Sequence, residues 1–193
     1  MSSEPRKYTK RRRAEAEQET RQRITEAAVE LHGSVGPART TISAIADRAG
    51  VQRATVYRHF PDEEALFAAC SSHWAMANPR PDPSVWSEIA DADERLRHAL
   101  RDLYAYFGRN EAMLTNVTRD RPLVDAMAKP SAAMAAYFET VIETIAAGRP
   151  RRRRVRAAIG HAVSFAAWQS LVGQQGLDEQ QAVELMAAMV AHA

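Results

Sequence analysis

The sequence predicts an all-α protein of about nine helices, from its composition and from the spacing of its apolar residues. Ala, Leu, Arg, Glu and Gln, which favour helices, are abundant, whereas the 193 residues include only eight glycines and nine prolines. Apolar residues recur at intervals of three and four, and no stretch alternates apolar and polar residues for the length of a strand. With 46% hydrophobic residues, the chain can bury a substantial core.

Residues 1–16 are expected to form a basic, disordered arm. Lys and Arg occupy six positions between Arg6 and Arg13, with almost nothing apolar among them. Such an arm can lie along DNA phosphates or enter a minor groove. A solubilising tail without defined contacts fits the same composition equally well. Twelve Lys and Arg residues against seven Asp and Glu residues in positions 1–60, and fourteen against seventeen afterwards, place the positive charge at the front of the chain.

Three helices are predicted between residues 17 and 60. The first has apolar residues at 24, 27, 28 and 31, the spacing of one helix face, and ends at Gly33. The second begins near Thr41, a good N-cap residue, and ends at Gly50. The third is short, from about Gln52 to His59, and buries Val56.

Six further helices are predicted beyond residue 60. Pro61 and Asp62 begin the fourth, which reaches about Ala77, and the prolines of residues 78–83 predict a linker or a sharp bend. The other five are expected at about residues 96–108, 113–118, 134–145, 151–172 and 178–192.

The spacing of small and aliphatic residues in positions 40–60 predicts a helix-turn-helix. Ala46 allows two helices to cross closely, Gly50 accepts a positive φ in the turn, and Val56 closes the small core between them. The outward face of the third helix is polar or cationic, and no carboxylate occurs from Val51 to Phe60. Such a face suits phosphates and base edges of DNA.

These residues resemble the DNA-binding domain of the TetR family. The resemblance rests on Thr40, Thr41, Ile45, Ala46, Ala49, Gly50, Val51, Thr55, Tyr57, His59 and Phe60. It implies that Thr41, Tyr57 and His59 contact DNA phosphates. It also implies that Gln52, Arg53 and Thr55 face the major groove.

The resemblance also implies a two-part organisation and a function. Residues 17–60 would be the DNA-binding domain, and residues 61–193 would bind an effector and dimerise. The protein would be a transcriptional regulator, most often a repressor in this family. It would bind palindromic double-stranded DNA as a homodimer, and a hydrophobic small molecule would release it from the DNA.

The chain departs from the family pattern at two positions. Ala44 stands where an acidic residue often completes a capping box. Glu63, between Asp62 and Glu64, replaces a usual Lys near a DNA phosphate. The second change weakens one contact with DNA, and we hypothesise that the basic arm compensates for it.

The last two predicted helices favour a dimer interface. The eighth is apolar on nearly all sides and carries a stripe of mostly small residues, and the ninth adds flexible apolar ones. The alternative is a monomer in which both helices cover the core. The interface prediction comprises Ala157, Gly160, Ser164, Ala167, Leu171, Met186 and Met189.

Aromatic and Met residues on inward faces are candidates for an effector pocket, although such residues more often belong to a core. An apolar pocket would favour a hydrophobic or aromatic effector. His161, within an apolar stripe, is the best polar candidate. The set comprises Trp74, Tyr104, Phe107, Met113, Met127, Phe138, His161, Phe165 and Trp168.

Two rival functions remain at this stage. One is a DNA-binding regulator without a small-molecule ligand. The other is a small enzyme in which Cys70, the single cysteine, and His73 act as nucleophile and base. The six histidines show no metal-binding spacing, and we expect no cofactor. We find no signal peptide and no membrane-spanning run, so a cytoplasmic protein is expected.

Overall fold

The computed structural model describes residues 4–127, 132–150 and 152–193, and every regular element in these ranges is helical. This confirms the all-α prediction. The α-helices are α1 (Glu4–Ser34), α2 (Ile42–Ala49), α3 (Arg53–His59), α4 (Glu63–Ala77), α5 (Pro83–Ser87), α6 (Ala92–Arg109), α7 (Glu111–Asp120), α8 (Ala132–Ala146), α9 (Arg153–Ala162), α10 (Phe165–Trp168) and α11 (Glu179–Ala191). In the part of the chain just delimited, no helix is both long and apolar enough to cross a membrane.

The described helices number eleven, close to the predicted nine, and the difference has two local causes. Asp82 caps the short α5 by accepting a hydrogen bond from the Ser84 amide at 2.9 Å, with Pro83 in the first turn. Ser164 interrupts the predicted eighth helix: its hydroxyl accepts a hydrogen bond from the Ala167 amide at 3.1 Å and starts α10. A π-helical stretch, Gln169–Gln174, follows α10.

The arm was predicted to be disordered over residues 1–16. Residues 1–3 lie outside the described residues, and from Glu4 onward the structure has helix α1 in place of disorder. Positions 10–19 are all exposed, so packing does not explain these turns. Their residues are mostly Arg, Glu, Ala and Gln, which favour helices. Arg11 and Glu15, one turn apart, also form an ion pair at 2.8 Å.

The described residues form two compact units. The first contains residues 4–78 and 115–127, and the second contains residues 79–114, 132–150 and 152–193. α4 belongs to the first unit, where Leu66 and Cys70 join the core of α1–α3. The compact N-terminal unit therefore extends past residue 60, while the division of function at that residue stays a prediction.

The core of the first unit lies where α1, α2, α3 and α4 meet. Ile24 and Ala28 of α1, Ile45 of α2 and Val56 of α3 are at most 1% exposed. Burying one such aliphatic side chain is worth roughly 1.5–3 kcal/mol, so this small cluster fixes how the four helices cross.

The second unit is built around α6, which packs against α8 and α11. Leu96, Leu100 and Leu103 of α6 are at most 1% exposed. Tyr104 is also buried and satisfies its hydroxyl by donating to the Ala162 carbonyl at 2.9 Å. Trp86 of α5, fully buried, donates its indole N–H to Asp102 at 2.7 Å.

Candidate DNA-binding surface

The turn between α2 and α3 has the geometry that the sequence predicts. Thr41 caps α2 by accepting a hydrogen bond from the Ala44 amide at 3.1 Å. Gly50 ends α2 in the left-handed region, with φ 65° and ψ 41°. Val51 then donates its amide to the Ala46 carbonyl at 3.0 Å, and Val56 is fully buried. These contacts set the direction of α3.

The side of α3 that faces away from this core is open to solvent. Gln52, Arg53 and Arg58 are exposed, Thr55 is half-buried, and Tyr57 is 49% exposed. Each side chain carries a hydrogen-bonding group. The surface thus presents amide, guanidinium and hydroxyl groups together, without a carboxylate on α3.

Two arginines connect α1 with the helix-turn-helix, one through α3 and one through α2, and sequence reasoning did not identify either of them. Arg21 donates to the His59 carbonyl at 2.5 Å and lies 4.1 Å from the centre of the Phe60 ring. Arg48 pairs with Glu30, with Nε 2.8 Å from Oε2. Both contacts join residues far apart in the sequence, so no local pattern could have predicted them.

His59 is less available than the resemblance implies. Burial lowers the pKa of its imidazole, and the neighbouring Arg58 lowers it further. The Nε2 atom is buried and has no hydrogen-bond partner within the described part of the chain. Nε2 is therefore not placed to contact a phosphate in this conformation.

The acidic residues at the start of α4 have a local role. Asp62 caps the helix by accepting a hydrogen bond from the Ala65 amide at 2.7 Å. Glu63 and Glu64 occupy the first turn, where negative charge interacts favourably with the helix dipole. All three side chains are exposed, so Glu63 adds negative charge next to the α3 surface.

The sequence pattern of "Bacterial regulatory proteins, tetR family" matches residues 24–70, the stretch that contains this surface. Residues 24–70 therefore carry the sequence pattern of the TetR family. The match ends within α4, in agreement with the extent of the core that α4 completes. A comparison with curated proteins finds no match.

Solved structures of TetR-like regulators share the fold over most of this chain. A TetR-like transcriptional regulator from Rhodococcus sp. RHA1 has a TM-score of 0.64 and 17% identity, covering 90% of this chain and 94% of its own. A putative fatty acid metabolism regulator from Clostridium perfringens has a TM-score of 0.61 and 16% identity, with 89% and 98% covered. NalD, the secondary repressor of the MexAB-OprM multidrug efflux pump in Pseudomonas aeruginosa, has a TM-score of 0.61 and 21% identity, with 92% and 96% covered.

The structure divides the predicted pocket residues between the two units. Trp74 lies on α4 and Met127 follows α7, both in the first unit. His161 is exposed at the end of α9, which corrects the expectation of an inward-facing histidine. The second unit contains Tyr104, Phe107, Met113, Phe138, His161, Phe165 and Trp168.

Three of these aromatic rings pack on one another. The centroids of Phe107 and Phe165 are 5.6 Å apart, edge to face, and Phe165 stacks on Trp168 at 5.5 Å. Such pairs are favourable packing geometries. The indole N–H of Trp168 is buried and has no partner among the residues described. Three of the predicted pocket residues therefore pack against one another.

The predicted dimer stripe is not on one continuous helix, which is a second correction. Ser164 ends the run, so Ala157 and Gly160 lie on α9 whereas Ala167 lies on α10. Ala167 and Met186 are buried within the unit itself. The remaining members of the stripe stay accessible: Ala157 is exposed, and Gly160, Ser164, Leu171 and Met189 are half-buried.

Cys70 does not have the surroundings of a nucleophile. It is 3% exposed, and its thiol lies 3.9 Å from the Thr25 carbonyl within the core of the first unit. Burial raises the pKa of the thiol to about 12, so the reactive thiolate is not formed at neutral pH. The structure therefore gives the Cys70–His73 enzyme hypothesis no support.

Proposed function

We propose that this protein is a TetR-family transcriptional regulator that binds palindromic operator DNA as a homodimer and is released by a hydrophobic small molecule. The observation that supports DNA binding is the exposed, carboxylate-free face of α3, which Gly50 and the buried Val56 hold in place. Thr41, at the N-cap of α2, is also exposed and adds a hydroxyl to this surface.

The residues divide into those that read bases and those that contact the backbone. Gln52 and Arg53 carry groups that can bind adenine and guanine edges with two hydrogen bonds. Tyr57 and Thr41 carry hydroxyls suited to phosphate oxygens, and such contacts position the protein without reading sequence. The half-buried Thr55 can place its methyl group against thymine.

A homodimer would present two α3 helices to the DNA, one from each subunit. Two α3 helices about one helical turn of DNA apart (~34 Å) match a palindrome. The accessible stripe of α9 and α10, with Leu185 of α11 at 48% exposure, offers apolar surface for a second copy. An effector that binds best to dimers with another spacing of the two α3 helices would lower the fraction of dimers able to bind the operator.

Gel-shift titration with the DNA upstream of this protein's own gene tests the regulator proposal. Arg53→Ala should relax the preference among operator variants, whereas Tyr57→Phe should weaken binding to all of them alike. Arg101→Ala, an exposed arginine of α6, is the matched control and should bind as the wild type does. Binding that depends on salt but not on sequence would contradict the proposal.

A regulator without a small-molecule ligand is the second candidate, and the packed Phe107–Phe165–Trp168 cluster favours it. Titration with apolar aromatic compounds, followed by tryptophan fluorescence, separates the two candidates. Phe165→Ala opens the cluster and serves as a positive control. Binding by Phe165→Ala but not by the wild type would support the second candidate, and operator release by such a compound would support the first.

A further inference from the structure

The C-terminal end of α3 cannot be closed by its own backbone. The helix has seven residues, about two turns, and the Phe60 amide donates to the Val56 carbonyl at 2.8 Å. The next amide along the chain would bond to the Tyr57 carbonyl, but residue 61 is a proline and has no N–H. The final carbonyl groups of α3 therefore depend on partners outside the helix.

A side chain of α1 supplies one of these partners. Arg21 donates from Nη1 to the carbonyl of His59, the last residue of α3, at 2.5 Å. Its guanidinium carbon also lies 4.1 Å from the centre of the Phe60 ring, which is buried in the core of the first unit. Within the described ranges, no carboxylate forms an ion pair with Arg21. Its guanidinium group thus makes two contacts with the end of α3.

These two contacts restrain the last turn of α3. The C-terminus of a helix carries about half a negative charge, so a cation at this end stabilises the helix. The guanidinium group is planar and its donors have fixed directions, so it also favours one position of the carbonyl that it binds. In this last turn Tyr57 and Arg58 are exposed, whereas His59 is half-buried. Arg21 therefore restrains the turn that presents Tyr57 and Arg58 to solvent.

We propose that Arg21 is a positioning residue for DNA binding, which holds the last turn of α3 so that Tyr57 reaches a phosphate, without contacting DNA itself. This inference rests on the proposed function, because it concerns the same DNA-binding surface. Without Arg21 only a fraction of the free molecules has this turn in the binding orientation, and the apparent affinity for DNA falls by that fraction. The number of phosphate contacts in the complex stays the same.

Fluorescence anisotropy titrations at several salt concentrations test the proposal. The probe is the fragment upstream of the protein's own gene that the wild type prefers to unrelated DNA. Arg21→Met keeps a long apolar side chain beside Phe60, and it should raise Kd about tenfold, the factor that corresponds to one charged hydrogen bond. The slope of log K against log salt should equal that of the wild type. A slope shallower by about 1 would show that Arg21 itself binds a phosphate, and would overturn the proposal.

Two further variants control for charge and for folding. Arg23→Met makes the same change at an exposed residue on nearly the opposite side of α1, and it should bind as the wild type does. An equal loss in Arg21→Met and Arg23→Met would overturn the proposal, because the effect would then be general electrostatics. Arg21→Lys keeps the charge but not the planar group, and it should raise Kd about threefold. Wild-type affinity in Arg21→Lys would also overturn the proposal, and this variant decides the matter if Arg21→Met does not fold.

A double-mutant cycle with Tyr57→Phe separates positioning from a general loss of stability. Because Arg21 acts through the turn that carries Tyr57, the double variant should bind more tightly than the product of the two separate losses implies. Losses that simply multiply would overturn the proposal. An unchanged Kd in Arg21→Met would overturn the role of Arg21 alone. A wild type without preference for any fragment would overturn the proposed function as well, so the two failures are distinguishable.

Discussion

The carboxylate of Asp120 accepts a hydrogen bond from the main-chain amide of Ala38 at 2.9 Å. The two residues are 82 positions apart in the sequence and lie in the same compact unit. Asn116, one turn earlier on α7, donates to the Gly33 carbonyl at 2.8 Å. The end of α7 is thus attached both to the last turn of α1 and to the segment between α1 and α2, which precedes the helix-turn-helix.

Asp120→Asn should lower the free energy of unfolding by about 1–3 kcal/mol at pH 7, because a charged acceptor of two partners is lost. Arg119 lowers the pKa of Asp120 below the ordinary 3.8, so its contribution is present above that value and is lost as the pH falls further. Urea denaturation between pH 3 and 7 should show a weaker acid dependence for the variant. If the free energies of unfolding of the wild type and the variant fell equally with pH, Asp120 would not be the source of this acid dependence.

His32 should respond to pH in a different range. It is buried, and its ring stacks on Phe67 at 5.0 Å. Burial lowers its pKa from 6.5 to about 4. The unfolded chain therefore takes up a proton first, and stability should fall by about 3 kcal/mol as the pH drops from 6.5 to 4. His32→Phe keeps the ring packing and should remove this pH dependence in the same urea experiment. If the free energy of unfolding of the variant fell with pH as steeply as that of the wild type, this role of His32 would be refuted.

Alanine substitution at two glycines with positive φ should separate backbone strain from steric conflict. Gly50 has φ +65° and open space where a Cβ would lie, so Gly50→Ala should cost about 1–2 kcal/mol. Gly36 has φ +95°, and its Cβ would collide with Arg119 and Asp120. Gly36→Ala should therefore be clearly more destabilising in thermal denaturation. An equal loss of stability in the two variants would show that Arg119 and Asp120 move aside without an energetic cost.

Glu63→Lys should strengthen DNA binding. Glu63 is exposed in the first turn of α4, where the TetR-family pattern usually has Lys. A lysine that reaches a phosphate releases one more counterion, so the slope of log K against log salt should steepen by about 1. Glu88→Lys, an exposed site in the second unit with the same charge change, is the control in fluorescence anisotropy titrations. An equal gain in DNA affinity in both variants would show that the effect comes from net charge and not from a contact at position 63.

Ala157→Glu should convert the proposed dimer to a monomer. Ala157 is exposed on α9, so the change leaves the core of the subunit intact while placing a charge on each side of the interface. Light scattering should give twice the 21.4 kDa chain mass for the wild type and one chain mass for the variant. Ala136→Glu, exposed on α8, should remain dimeric. A monomeric wild type at micromolar concentration would contradict the dimer proposal.

Local features were predictable from the sequence because they depend on neighbouring residues. The Thr41 cap, the positive φ of Gly50 and the buried Val56 each follow from the chemistry of one short stretch. The helix periodicity and the polar face of α3 are read from spacing alone. The helix from Glu4 differs from the predicted disorder because high charge favours disorder, whereas residue types such as Arg11 and Glu15 also favour a helix.

Only the tertiary structure decided which distant groups meet. No local pattern pairs Ala38 with Asp120 or brings Arg21 to the His59 carbonyl, because these contacts depend on how buried faces pack. The break at Ser164 arises likewise from a side chain that competes for a backbone amide within an otherwise helical run. The sequence by itself thus determined the helix-turn-helix, whereas packing determined what supports it and which apolar residues remain accessible.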